Sequence, residues 1–399
     1  MTRTRFVTAL IALALASCGG GGGGGGDAGV DTLAGRKREI LAHLGETVML
    51  ATYRDFATAA AALETATAAY SADPSDANRT AAQDAWRAAI AAWQAAEMFQ
   101  LGPAGASGAM GVVGGQDLRP EIYSFPVTNT CRIDQETVES AHESPDAFAT
   151  ELVNVRGLDA MEYLLFVEST ENTCAALSPI NETGSWAALG ADGVRARRAR
   201  YANTLAILVR RHADALRDAW DPTGGDFVGQ LATAGESGSQ FPTARRALND
   251  LAGAMLYIDT MTKDMKIGEP AGLVRCTATS CPEELESRWA RLGKDAVLVN
   301  LRTFQRLYLG APPGTDAPGL DDLLLEIGAE ALANQLRDAI AAAITAVEAV
   351  PGNLEDAIAT DRAALQAAFD ALTLVSRLFK MDLVTALDIE LPSNFGDND

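Results

Sequence analysis

The sequence predicts an all-α protein made of two packed helical domains, each resembling a four-helix bundle. Three observations predict it. Alanine occurs 75 times in 399 residues while aromatic residues make up only 6%, and Ala is the best helix former and a poor strand former. Apolar residues recur at helical spacing over long windows, and alternation of period two never lasts beyond a few residues. Pro and Gly breaks at Pro74, Pro103, Asp221-Pro222-Thr223-Gly224-Gly225, Pro312-Pro313-Gly314 and Pro351-Gly352 cut these windows into helices. A hydrophobic share of 48% excludes wholesale disorder. A net charge of −21, from 53 acids and 32 bases, excludes a nucleic-acid partner, because little could replace the phosphate counterions.

The amino terminus sets the compartment. Arg3 and Arg5 precede an apolar run from Phe6 to Ala16, too short for a spanning helix of about 20 residues and suited to a secretory signal. Leu15-Ala16-Ser17-Cys18 resembles a bacterial lipobox, so residues 1–17 are expected to be removed and Cys18 acylated. Acyl chains on one Cys anchor a protein stably to a membrane. Gly19 to Gly26 read as a flexible tether, and residues 18–30 as the lipidated Cys with that tether. Gly19, rather than Asp, after the Cys predicts sorting to the outer membrane with the body in the periplasm or, alternatively, on the cell surface.

From residue 31 the elements follow in order. Leu41, Leu44, Val48 and Ala51 begin a stripe that Tyr53, Phe56, Ala60 and Leu63 continue, predicting a helix over 31–72. Ser75 is a good N-cap for a second helix to about Phe99, with Trp86, Ile90 and Trp93 on one face. Gly105 to Gly115 read as a loop, and loops of this length are often functional. Ser144-Pro145-Asp146 is a strong helix start, and Phe148, Leu152, Val155 and Leu158 predict one helix running past Phe166. A further helix covers about 186–220. The break at 221–225 divides a first bundle domain, 31–225, from a second, 226–399, with helices at about 241–267, 283–310, 319–350 and 354–387.

Setting aside Cys18, four cysteines remain, Cys131, Cys174, Cys276 and Cys281. An even number in an exported chain predicts two disulfides. Cys276 and Cys281 flank a short loop, which leaves Cys131 for Cys174, although four cysteines allow three pairings. A zinc site is the rival, but there is no Cys-x-x-Cys, and His43, His142 and His212 match no ligand spacing.

The segment with most chemical content is Val155 to Phe166. Asp159 and Glu162 stand at i, i+3, on one face of an otherwise apolar helix. Carboxylates in such a helix are costly unless something positive compensates. A metal ion is one compensator, since bundle helices build metal sites from carboxylates at this spacing. Arg156 or Arg119 is the other, and a solvated acidic stripe the third reading. Other candidates for the wall of a site are Glu97 at the end of the Trp-rich helix, Arg119, Glu286 with Ser287 at the start of the helix over 283–310, and Asn300.

In order and spacing these segments resemble the imelysin family, which includes iron-regulated protein A. The resemblance rests on Tyr53-Arg54-Asp55-Phe56, Trp86, Trp93 to Glu97, Gly102-Pro103, Gly157-Leu158-Asp159-Ala160-Met161-Glu162 against the motif Gly-x-His-x-x-Glu, Asn300 to Gly310, Lys380 to Leu383 and the ending Asn394 to Asp399. It implies two packed four-helix bundles, a site near their interface, a link to periplasmic iron uptake, and a peptidase label. Asp159 replaces the motif His and Glu162 is retained. An Asp–Glu pair favours Ca, Mg, Mn or ferric iron over Zn. A zinc peptidase would need nitrogen ligands and a general base, which this motif lacks. The expectation is a non-enzymatic lipoprotein that binds a metal ion, or a metal-bearing partner such as a periplasmic iron-uptake or redox protein. No catalytic residue and no organic cofactor is expected. The alternatives are an imelysin-type metallopeptidase and a scaffold protein without a metal site.

Overall fold

The computed structural model describes residues 31–108 and 111–391. The expected signal peptide, Cys18, the glycine tether and the ending after 391 lie outside the described residues. Among the described residues there are helices and no strand. None of these helices is long and apolar enough to cross a membrane.

The first predicted helix is a continuous run of α1 (Ala34–Leu44), a π-helical stretch (Gly45–Leu50) and α2 (Ala51–Ala72). Helix α3 (Asp76–Ala96) follows and buries Trp86, Ile90 and Trp93. Short helices α4 (Leu118–Ile122), α5 (Thr130–Glu139) and α6 (Pro145–Phe148) lead to α7 (Gly157–Phe166). Helix α8 (Pro179–Glu182) precedes the long α9 (Ser185–Trp220), which kinks at Gly190. Helices α2, α3, α7 and α9 pack together as one bundle.

Helices α10 (Phe227–Ala232) and α11 (Ala244–Met255) lead into a π-helix over Ile258–Gly268. Then come α12 (Gly293–Leu309), α13 (Leu320–Glu326), α14 (Glu330–Ala349), α15 (Leu354–Thr360), α16 (Arg362–Arg377) and α17 (Val384–Ala386). The π-helix packs with α12, α14 and α16 as the second bundle, and α12 also lies against α3. Helix α1 packs on α10 and α11, so elements from both halves share one apolar core that runs from Ile40 to Ile389. Disulfides join Cys131 to Cys174 and Cys276 to Cys281, the expected pairs.

Four helices differ from expectation. The helix predicted over 319–350 is split into α13 and α14 by a turn at Gly328, whose φ is +74°, and the one predicted over 354–387 is split at Asp361, which caps α16 by accepting from the Ala364 amide. The helix predicted from Pro145 past Phe166 is broken into α6, a single turn at Val153–Val155, and α7. Ser144 does cap α6, accepting a hydrogen bond from the Ala147 amide. Leu152 is not on a buried stripe but 66% exposed. The break spans residues 149–156, where Leu152 and Arg156 are extended, and Gly157, the first residue of α7, has a φ of +83° that no helix interior accommodates. The helix predicted over 283–310 begins only at Gly293. Glu286 and Ser287 therefore open no helix. They sit in an irregular segment in which Ser287 and Arg291 take left-handed backbone conformations.

Candidate functional site

Helix α7 is buried on nearly every side, from Gly157 to Leu165. Asp159 and Glu162, each only 4% exposed, project from it into the interior. Neither sequence-predicted guanidinium compensates them. Arg156 is engaged by Glu121, with Nη2 donating to Oε1 at 3.2 Å. Arg119 is engaged by Glu97, with Nη2 at 3.1 Å from Oε2. Among the described residues no ion pair reaches Asp159 or Glu162.

What balances them is a set of neutral donors. Ser124 Oγ donates to Asp159 Oδ2 at 2.6 Å, Thr128 Oγ1 donates to the same oxygen, and the Ser124 amide donates to Oδ1 at 3.3 Å. The Trp289 and Ala290 amides both donate to Glu162 Oε1 at 2.8 Å. Both amides belong to the irregular segment that replaces the expected start of the 283–310 helix, so the departure from helix supplies the donors. Charge remains expensive here. Burial raises the Asp159 carboxyl above its ordinary range, against the pull of its hydrogen bonds. Burial pushes Glu162 up to about 8, the two amides pull down, and the charges of Glu286 and Asp159 push further up.

The two carboxyl groups line a cavity of about 110 Å³ with Tyr123, Thr128, Ser287 and Trp289. Glu283 and Glu284 add two more acids to its wall. Among the described residues no three His, Cys, Asp or Glu side chains are grouped as a complete ligand set. The donors on this wall are hard oxygens: the carboxyl groups of Asp159, Glu162, Glu283 and Glu284 and the hydroxyls of residues such as Thr128 and Ser287.

Glu286 and Asn300, both predicted for the site wall, belong to an adjoining buried network. Lys266 Nζ lies 3.1 Å from Glu286 Oε2 and donates to Gln94 Oε1 at 2.6 Å and to Asn300 Oδ1 at 2.8 Å. Gln94 Nε2 and the Tyr123 hydroxyl donate to Glu286 Oε1 at 2.9 and 2.7 Å. Tyr123 thus joins this network to the cavity of Asp159 and Glu162. Glu97 and Arg119 stand elsewhere, with Arg119 on the wall of a different cavity. The structure therefore brings Asp159, Glu162 and Ser287 to one cavity, places Glu286 and Asn300 behind it, and separates Glu97 and Arg119 from it.

Sequence reasoning missed Ser124, Thr128, Gln94, Lys266 and the two backbone amides. Lys266 stands among polar and charged neighbours such as Lys263, Asp264 and Glu269, so the sequence gives no signal that it is buried. The histidines line neither cavity. His43 meets the Gly310 carbonyl at 2.8 Å, and burial holds His142 down to about 4.

Gly157 has a steric reason to be glycine. A Cβ there would lie 2.7 Å from the Ile122 carbonyl oxygen, in a left-handed conformation. Gly157→Ala should destabilise the protein by about 1–3 kcal/mol. Gly35→Ala, where nothing lies within 4 Å, should be neutral or stabilising by up to about 1 kcal/mol. Urea midpoints of the two variants test this, and equal midpoints would show that Gly157 is not strained.

The fold and motif can be set against known proteins. The sequence model described as imelysin, labelled peptidase M75, matches residues 49–378. Iron-regulated protein A of Synechococcus elongatus is 25% identical over 319 residues, covering 79% of this chain and 77% of that protein. Two solved structures share the fold at 18% identity, each match covering 90% of this chain and 97% of the other. One is a candidate iron-regulated protein A precursor from Parabacteroides distasonis, with a TM-score of 0.68. The other is an imelysin-like protein from Psychrobacter arcticum, with a TM-score of 0.65. With the family match spanning most of the chain, the chain belongs to the imelysin family.

Proposed function

We propose that this protein is a non-enzymatic lipoprotein, anchored through Cys18 to the outer membrane with its body in the periplasm, that takes up a metal ion or a metal-bearing partner for iron or other metal acquisition. The observation that carries this reading is the pair Asp159 and Glu162: two buried carboxyl groups on one cavity wall, with no ion-pair partner among the described residues. A cation there would receive hard oxygens, which suits Ca, Mg, Mn or ferric iron. Asp159 and Glu162 would hold it, with Ser124 and Thr128 as their supporting hydroxyls. A metal that arrives with ligands of its own needs fewer oxygens from the protein, which favours a metal-bearing partner beside the free ion. The name of the Synechococcus relative, iron-regulated protein A, points to iron among these metals.

The family's peptidase label keeps a metallopeptidase as the second reading. Against it stands Asp159 in place of the motif His, with no His near the cavity to bind zinc or act as a base.

Equilibrium dialysis of the mature chain against ferric citrate, Mn, Ca and Zn, followed by elemental analysis, tests the proposal. Wild type should retain about one metal per chain. Asp159→Ala/Glu162→Ala should lower the affinity at least about 100-fold, since even supporting residues of metal sites contribute 10–100-fold. Equal metal content in the two proteins sinks the site. Chelator-sensitive cleavage of unfolded casein by the wild type would favour the peptidase reading.

A further inference from the structure

The segment between the turn at Pro282–Glu284 and α12 supplies the two amides that meet Glu162, yet it has no regular structure to aim them. Inside it the Leu292 amide donates to the Ser287 carbonyl at 3.3 Å. Side chains fix its two ends from outside. At one end Glu286 is held by Lys266, Gln94 and Tyr123. At the other, Arg291 Nη2 donates to Asn353 Oδ1 at 3.0 Å and to Asp356 Oδ1 at 2.7 Å. The Trp289 and Ala290 amides lie between these anchors, so whatever holds the middle sets where they point.

The middle rests on an aromatic contact. Trp289 is half-buried, and its indole meets the Tyr163 ring edge to face, with centroids 5.3 Å apart and planes at 62°. Tyr163 is buried and directly follows Glu162 on α7. The contacts therefore form a closed circuit. Glu162 accepts the Trp289 amide, and the next residue of the helix carries the ring against which the Trp289 side chain packs.

Tyr163 is fixed in turn. Its hydroxyl donates to Asp134 at 3.0 Å, and the Arg198 guanidinium lies 5.2 Å from its ring centre. The Arg288 guanidinium lies 4.3 Å from the Trp289 ring, and its Nη1 donates to the Glu283 carbonyl at 2.9 Å. Arg288 belongs to the same segment, so it stiffens the segment without tying it to α7. The contact with Tyr163 does tie it. Glu283, Arg288 and Trp289 all line the cavity of Asp159 and Glu162. A shift of the indole would move that wall together with the amide donors. Both amides meet Glu162 Oε1, which leaves Oε2 for a cation.

We propose that Tyr163 is a positioning residue for this cavity: its ring seats Trp289, and through Trp289 it aims the two amides at Glu162. The consequence for metal uptake rests on the function proposed above, whereas the effect on the segment stands on the contacts themselves.

Hydrogen exchange read by mass spectrometry on peptides covering 286–292, with 201–209 of α9 as control, tests this beside titration of the mature chain with Mn and ferric citrate. Tyr163→Leu should speed exchange at 286–292 about 10-fold or more and leave 201–209 as in wild type. It should also weaken metal binding about 10-fold or more, within the range for supporting residues of metal sites. Tyr163→Phe keeps the ring and should stay close to wild type in both measurements. Trp289→Leu, at a half-buried position, should reproduce the loss, so the test does not depend on whether Tyr163→Leu folds. Tyr163→Leu/Trp289→Leu should be no worse than the worse single variant, because both changes remove one contact. The proposal is overturned if Trp289→Leu leaves exchange at 286–292 unchanged, or if Tyr163→Phe loses as much as Tyr163→Leu. It is equally overturned if exchange at 201–209 rises as much as at 286–292, or if the double variant adds the two losses. A wild type that takes up neither metal counts against the metal reading alone, and the exchange results then decide the role of Tyr163.

Discussion

Lys266→Met should lower the unfolding free energy by about 3–5 kcal/mol, the range for removing one partner of a buried ion pair. Lys266 is 0% exposed, and three oxygens surround its ammonium: Glu286 Oε2 at 3.1 Å, Gln94 Oε1 at 2.6 Å and Asn300 Oδ1 at 2.8 Å. Its charge also lies 5.1 Å from the centre of the Tyr257 ring. Burial pulls the Lys266 pKa down, and the charge of Glu286 opposes that pull. Met preserves most of the volume and removes only the charge and the donors. The Glu286 carboxylate then stays buried with Gln94 and Tyr123 as its donors, and the Gln94 and Asn300 amide oxygens each lose one of two donors, keeping Asn300 Nδ2 at 3.3 Å and Thr262 Oγ1 at 3.2 Å. Lys266→Met/Glu286→Leu, which removes both charges, should be less destabilised than Lys266→Met alone. Guanidinium denaturation of the three proteins measures this. A single variant within about 1 kcal/mol of wild type would mean that water reaches the pair, since exposed pairs are worth no more than that. The network ties α3 to the π-helix, to the segment before α12 and to α12 itself, so its loss should loosen the junction of the two bundles.

Replacing the Cys131–Cys174 disulfide by two serines should destabilise the chain by about 4 kcal/mol. This follows from the chain entropy released by a loop of 43 residues. The same substitution at Cys276–Cys281, a separation of 5 residues, should cost about 2 kcal/mol on the same relation. The comparison matters more than either number, and the reverse order of denaturation midpoints would contradict it. The larger loop encloses all of α7, hence Asp159 and Glu162. It also holds one side of their cavity: the Thr173 hydroxyl bonds that of Thr130 at 2.9 Å, two residues beyond Thr128. Asp134 remains as a non-covalent tie, accepting from the Thr173 amide at 2.8 Å and from the Tyr163 hydroxyl at 3.0 Å. The fold should therefore survive the loss of this disulfide with a looser strap over the cavity.

Much of the architecture was legible from local pattern. Helix α3 places Trp86, Ile90 and Trp93 inward as their spacing requires, and α9 spans nearly the range read from the sequence. Where the reading failed, the cause is tertiary. Gly157 lies in a segment whose apolar spacing is helical on both sides, and only its approach to Ile122 forces the left-handed turn. Residues 283–292 contain good helix formers such as Glu284, Leu285 and Arg288 and no glycine, yet Ser287 and Arg291 are held left-handed there. A helix would tie up the Trp289 and Ala290 amides in its own ladder. The open segment releases them to Glu162.

The sequence by itself determined the helical class, the even number of cysteines left after Cys18, and the placing of Asp159 and Glu162 on one helix face. Each of these depends on neighbours within a few turns of chain or on residue type alone. What meets those two carboxyl groups was decided only by the tertiary structure, because their donors lie 31 to 128 residues away in segments of no regular structure. Helical periodicity states which residues turn inward. It carries no information about which distant backbone will be waiting there, and that is why hydroxyls and amides, rather than the expected arginines, stand beside Asp159 and Glu162.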